Sequence, residues 1–327
     1  MTADILFLVL GFLLLIAGGE LLVRGAVRIA ERLGLSPMLI GLTVVGLGTS
    51  TPELAASVQA ALAGSPGLAV GNIVGSNMAN LLLILGTAAM IAPMAVARGV
   101  LWRDGGVGIA AAFALLAAGW TLGLVRVAGV AFLFALAGYI VLAYRQERIG
   151  LQHGAAYDRA MAVVDADPAL APHERQGGRL LPAILLFVAG LALVVGGGTL
   201  LVDAAISIAG ELGVADEVIG LTVVAIGTSL PELVTSAIAA FRKQGDIALG
   251  NVLGSNIYNL LFIGGFTGLA APAAVPPSIL GFDLWLLIAA SAIAMLFAWT
   301  GGRLSRREGT ILLVAYFVYL AVTAGLV

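Results

Sequence analysis

Two glutamates stand where a carboxylate is expensive. Glu53 closes the run Gly48-Thr49-Ser50-Thr51-Pro52-Glu53 and Glu232 closes Gly227-Thr228-Ser229-Leu230-Pro231-Glu232, each in the middle of a hydrophobic stretch. A charge at the centre of a bilayer costs about 2.5–3.5 kcal/mol on insertion scales, so a pair in matching contexts points to a use. Proline lacks an N–H and clashes with the preceding turn, which frees the carbonyls of Gly48 and Gly227, four residues back. The helix is expected to break there, and irregular backbone at that depth survives only where protein or a water-lined cavity satisfies it. The freed carbonyls, the hydroxyls of Thr49, Ser50, Thr228 and Ser229 and the two carboxylates are hard oxygen donors of the kind that suits Na+ and Ca2+.

A second motif recurs as Gly71-Asn72-Ile73-Val74-Gly75-Ser76-Asn77-Met78-Ala79-Asn80 and Gly250-Asn251-Val252-Leu253-Gly254-Ser255-Asn256-Ile257-Tyr258-Asn259. The spacing i, i+4, i+8 of Asn72, Ser76 and Asn80, and of Asn251, Ser255 and Asn259, gives each apolar helix one polar stripe, expected to face the broken helices. Ser76, Asn80, Ser255 and Asn259 are read as lining a cation site, because the stripe continues to the depth of the glutamates. Asn72, Asn77, Asn251 and Asn256 fit that role and plain interhelical hydrogen bonding equally well. Ser57 and Ser236, one turn after the glutamates, read first as serines bonded back to their own helix and second as supporting donors. The other acids near the spans are explained by their surroundings: Glu20 can pair with Arg24 at i+4, and Asp104, Asp203, Asp246, Asp283 and Glu308 fall near helix ends within reach of water.

The elements that must position these groups are transmembrane helices. Of 327 residues 61% are hydrophobic and 10% charged, with mean hydropathy +1.10, far from the roughly 25% charged usage of soluble domains. A net charge of -2 and a pI near 5.7 argue against nucleic acid as a partner, and the partner implied is the lipid bilayer. No cysteine is present and both histidines, His153 and His173, lie in one polar stretch, which argues against disulfides and thiolate or imidazole metal sites. A span needs about 20 mainly apolar residues. Ten stretches qualify, near 3-23, 37-63, 68-92, 105-123, 125-144, 180-202, 214-241, 246-271, 279-299 and 308-326. The N-terminus lacks the basic n-region of a signal peptide and reads as a retained first span. Trp102, Trp120, Trp285 and Trp299 fall near span ends, where aromatic belts form.

Residues 41-86 align with 220-265 without a gap at an offset of 179, with 25 of 46 positions identical. The chain therefore reads as a first five-helix half (1-144), a polar linker (145-179) holding 10 of the 34 charged residues, and a second five-helix half (180-327). Fifteen of the 16 basic residues fall in alternate loops and only Arg126 dissents, so the positive-inside rule places those loops and the linker in the cytoplasm and both termini outside. Five spans per half then make the copies inverted. Arg24, Arg28 and Arg32 accordingly become Asp203, Ser207 and Glu211, while Ala63-Gly64 becomes Arg242-Lys243. The expected fold is an all-α polytopic membrane protein of ten transmembrane helices in two inverted five-helix repeats, with broken helices at the midplane. That architecture suggests an alternating-access transporter with its site at the repeat interface.

At these two motifs the chain resembles the cation/calcium exchanger superfamily, whose alpha-repeats carry G-T-S-x-P-E and G-N-x-x-G-S-N, and within it the prokaryotic sodium/calcium antiporters. The resemblance covers all ten spans. It implies that Glu53 and Glu232 are the main ligands of Ca2+ and Na+, that Thr49, Ser50, Thr228 and Ser229 complete the shell, and that Ser76, Asn80 and Ser255 match further ion positions. It also implies a plasma membrane, bacterial inner membrane in type, and no cofactor beyond the transported ions. One departure stands out: Asn259 occupies the place of an aspartate in the family's second repeat. The leading expectation is Ca2+ exchanged for Na+. A Ca2+/H+ exchanger of the same fold is the alternative, since a carboxylate taken out of water can exchange a proton for a cation. A passive channel fits packed, broken helices less well. An intramembrane hydrolase using Ser50 or Ser229 lacks a nearby base, so the chain is not expected to be an enzyme.

Overall fold

A computed structural model describes residues 2–33, 35, 37–96, 98–153, 180–212 and 225–323. The described residues are almost wholly helical. Helix α1 (Thr2–Leu33) leads through Pro37–Ile40 and a π-helical turn (Gly41–Val45) into α2 (Gly46–Thr49) and α3 (Thr51–Leu62). Next come α4 (Pro66–Met78), a π-helical turn (Ala79–Ile84) and Leu85–Ile91. The first half closes with α5 (Gly106–Thr121), which continues Arg98–Val100 and a π-helical turn (Leu101–Gly105), and with α6 (Arg126–His153). The second half repeats the series as α7 (Leu180–Glu211), α8 (Ala225–Thr228), α9 (Leu230–Phe241), α10 (Gly245–Ile257), a π-helical turn (Tyr258–Ile263) and Gly264–Ala270. A further π-helical turn (Ile279–Asp283), α11 (Leu284–Gly301) and α12 (Arg306–Thr323) complete it.

Seven helices among the described residues are long and apolar enough to cross a membrane: 3–33, 66–91, 98–121, 126–146, 180–208, 245–270 and 279–301. The other three expected spans differ for physical reasons. The stretch 37-63 is divided at Ser50 into pieces too short to span, and the described part of 214-241 is divided at Ser229 in the same way. The stretch 308-326 corresponds to α12, whose first turn carries Arg306, Arg307 and Glu308. The linker beyond His153 and residues 213–224, which include the start of the second repeat copy (220-265), lie outside the described residues.

Small residues set how closely these helices approach, as they do in lipid, where burial alone gives no drive to associate. α1 and α7 cross along a seam of glycines: a methyl group at Gly190 would lie 2.3 Å from the backbone nitrogen of Leu22, and one at Gly18 2.7 Å from that of Val194. Other packings come in pairs at the sequence offset. α12 packs on Leu85–Ile91 as α6 packs on Gly264–Ala270, and α4 packs on α3 as α10 packs on α9. Short backbone pairings close the two ends: Met94 opposite Leu304 in a two-stranded antiparallel ladder, and Leu124 with Ala273 in an isolated bridge.

Candidate functional site

The proline in each first motif does what its chemistry requires. Ser50 has φ -80, ψ 6 and Ser229 φ -91, ψ 6, non-helical residues from which α3 and α9 start afresh with Pro52 and Pro231 in their first turns. Proline is well placed there, because the N–H it lacks has no intrahelical partner in a first turn. Glu53 and Glu232 follow at once. Each thus sits at a helix N-terminus inside the protein, where unbonded amides favour negative charge. Both are buried, at 1% exposure.

The two copies meet through these carboxylates. Ser50 donates to Oε1 of Glu232 at 3.2 Å, and Ser229 donates to Oε1 of Glu53 at 3.4 Å. α9 also packs against the Ala79–Ile84 turn that carries Asn80, and α3 against the Tyr258–Ile263 turn that carries Asn259. Each glutamate helix therefore borders the other copy's asparagine turn. A π-helical turn widens the backbone by one residue and recurs at functional sites. Here it falls at the same place in both copies.

Polar atoms without a partner, most of them oxygens, lie on the segments that meet in this region. Oε2 of Glu53, Oε2 of Glu232, Oγ of Ser255 and both amide atoms of Asn80 and of Asn259 are buried with no hydrogen-bond partner. Leaving a buried polar group unpaired costs about 1–3 kcal/mol, more for a charged one. So many together fit a set of donors for a cation. Thr49, Ser50, Ser76 and Ser229 are buried as well, and Thr228 is half-buried. Among the described residues no three His, Asp or Glu side chains cluster as a metal site, and the groups named here around the two glutamates are neutral.

Asn72 and Asn251 take the hydrogen-bonding role. Asn72 donates to Ser57 Oγ at 2.9 Å and to the Glu53 carbonyl at 3.2 Å. Asn251 donates to Ser236 Oγ at 2.9 Å and to the Glu232 carbonyl at 3.4 Å, and its Oδ1 accepts from Thr49 at 3.2 Å. The serines expected to bond back to their own helices instead receive these amides, and each pair pins the first turn that carries a glutamate. Asn77 donates to its own helix at the Ile73 carbonyl, 2.7 Å away.

Three features escaped the sequence reading. Asp104, expected near water, is fully buried, held by Arg103 at 2.5 and 2.8 Å and by the Tyr139 hydroxyl at 2.9 Å. Asp283, its counterpart at the offset, accepts from Tyr319 at 3.3 Å. Thr235, a turn after Glu232, is buried with its hydroxyl unpartnered. Its i+3 spacing from Glu232 was the available signal. Finally, a cavity with about 160 Å³ of room for water is lined by Pro52, Gly198, Thr199, Asp203, Thr228 and Pro231, so it reaches one flank of both broken helices.

Comparison with known proteins follows the same lines. The family model for the sodium/calcium exchanger protein matches residues 4–145 and 182–325. The sodium/calcium exchanger MaX1 of Methanosarcina acetivorans is 36% identical over 98% of both chains. The inner membrane protein YrbG of Escherichia coli is 34% identical over 96% of this chain and 94% of its own. A solved structure of the sodium-calcium exchanger NCX_Mj superposes with a TM-score of 0.82 at 30% identity, over 97% of this chain and 98% of the other.

Proposed function

Because the chain belongs to the sodium/calcium exchanger protein family, we propose that it is a secondary-active antiporter that moves Ca2+ in exchange for Na+ by alternating access. The observation that carries this reading is the pair of buried glutamates, one from each copy, each bonded to the other copy's serine and bordered by unpartnered amide and hydroxyl oxygens. Glu53 and Glu232 supply the two negative charges. Thr49, Ser50, Thr228, Ser229, Ser76, Asn80, Ser255 and Asn259 supply neutral oxygen. Hydroxyls suit a site that loads and unloads, because a serine can donate to a carboxylate or, by rotating, present a lone pair to a cation. Asn72 and Asn251 hold the glutamate-bearing turns in place and are positioning residues.

The same reading gives the chain ten spans in two inverted five-helix repeats, with both termini outside and the 145-179 linker in the cytoplasm of a plasma membrane. The distribution of basic residues supports it. Two carboxylates balance one Ca2+ or two monovalent ions, whereas a third Na+ would leave positive charge in a low-dielectric site. That balance also keeps a Ca2+/H+ exchanger in view, since two glutamates can carry two protons.

Purified protein in vesicles, tested for Ca2+ uptake under a sodium gradient, a pH gradient and neither, separates these. Uptake driven by sodium alone is expected. Uptake driven only by the pH gradient would establish the proton-coupled form, and equal uptake without either gradient would make the protein a passive pathway.

A further inference from the structure

Glu20 makes contacts that the ion site does not explain. α1 is seated on α9: a methyl group at Gly19 would lie 2.5 Å from Ile238 Cδ1 and 3.1 Å from Val234 Cγ1. Gly198, the counterpart of Gly19 at the offset of 179, would meet nothing nearer than Leu15 and Pro231, at 3.8 and 3.9 Å. Among the described residues α7 does not pack along α3 as α1 packs along α9. The cavity that reaches Thr228 lies at this looser contact, with Val202 in its wall. Val23, the counterpart of Val202, is 2% exposed.

On the alternating-access reading, one sequence unit present in two environments implies a second conformation, in which the copies exchange environments. There α7 rests on α3, α1 has left α9, and the hollow that already lies beside Glu20, Val23, Arg24 and Arg242, lined by no residue of the broken helix, deepens to Thr49. That separation breaks a specific contact. Glu20 accepts from Arg242, at the C-terminal end of α9, through Nε at 2.9 Å and Nη2 at 2.5 Å, and also from Arg24. The exchange does not rebuild it, because the counterparts of Glu20, Arg24 and Arg242 are Thr199, Asp203 and Ala63. We propose that the Glu20–Arg242 ion pair is a one-sided latch. It holds α1 on α9, keeps the path from the arginine-bearing face to Thr49 closed, and biases the molecule toward the conformation described here.

This inference rests on the alternating-access reading, and its test does not require transport. The chain has no cysteine, so Val23→Cys is a single reporter, to be labelled with a charged thiol reagent applied to the arginine-bearing face of oriented vesicles. Glu20 is 22% exposed and Arg242 49%, so solvent screens the pair. Glu20→Gln is therefore expected to speed labelling about twofold to fivefold, not by orders of magnitude. High salt on that face should speed labelling of the parent protein and have little further effect on Glu20→Gln. Arg242→Gln removes the same pair from the other partner and stands in if Glu20→Gln fails to fold. The double reversal Glu20→Arg with Arg242→Glu is expected to return labelling to the parent rate. Unchanged labelling in the single variants, or labelling that stays fast in the reversal, overturns the latch. Ca2+ flux is measured separately on the same vesicles, so a failure of the transport reading shows there and not in the labelling.

Discussion

Replacing Asn251 by alanine removes three hydrogen bonds at once, two that anchor the first turns of α9 and one that reaches across to Thr49. Replacing Asn72 removes the equivalent two donor bonds. Interhelical hydrogen bonds in membranes average about 0.6 kcal/mol each, so the expected losses are about 2 kcal/mol for Asn251→Ala and about 1 kcal/mol for Asn72→Ala. Thr49 is not left orphaned, because its hydroxyl also donates to the Val45 carbonyl at 3.1 Å. The larger cost therefore falls on the placement of Glu232. Thermal unfolding in detergent should show the lower midpoint for Asn251→Ala. Ca2+ titration of flux should show its half-saturation raised, by up to about tenfold to thirtyfold if the whole loss is expressed at the site. An unaltered half-saturation in Asn251→Ala would refute the claim that this asparagine positions the glutamate.

Glu53→Gln and Glu232→Gln should each abolish Ca2+ exchange in vesicles while leaving a folded protein, and near-normal flux by either would remove that glutamate from the site. Gly190→Ala should lower folded yield and thermal stability, because its methyl would meet the Leu22 backbone nitrogen at 2.3 Å, whereas Gly75→Ala, with nothing within 4 Å, should not. Asn259→Asp adds a third potential charge beside the two glutamates. Exchange is expected to become more sensitive to an imposed membrane potential or to pH, and flux in the parent already strongly voltage-dependent and unchanged in the variant would show that neutral oxygens suffice for a third ion.

The parts of this arrangement that chemistry dictates locally were legible in the sequence. Pro52 and Pro231 required breaks, and the chain breaks beside them at Ser50 and Ser229. What depends on contacts between distant segments was not. The stripe from Asn72 to Asn80 assumed an uninterrupted α-helix, and nothing in residue spacing announced the π-helical turn at Ala79–Ile84. Asp104 looked like an interface anchor because the partner that buries it, Tyr139, comes from another span, 35 residues away. Asn72 and Asn251 stayed ambiguous for the same reason: an amide in an apolar helix advertises a need for partners but not their identity.

The internal repeat also separates what local sequence determines from what conformation determines. The copies share 25 of 46 positions, yet Thr49 is fully buried while Thr228 is half-buried and lines a cavity. Both threonines stand in the same Gly-Thr-Ser run before a proline, so the difference follows how α1 and α7 sit on their neighbours. Were the copies identical everywhere, the two seatings would be equal in energy. Any preference must come from positions where the copies diverge, and the divergences at this boundary are charged: Glu20 against Thr199, Arg24 against Asp203, Arg242 against Ala63. The site chemistry needs the sameness of the two motifs. The direction in which the molecule rests needs the differences around them.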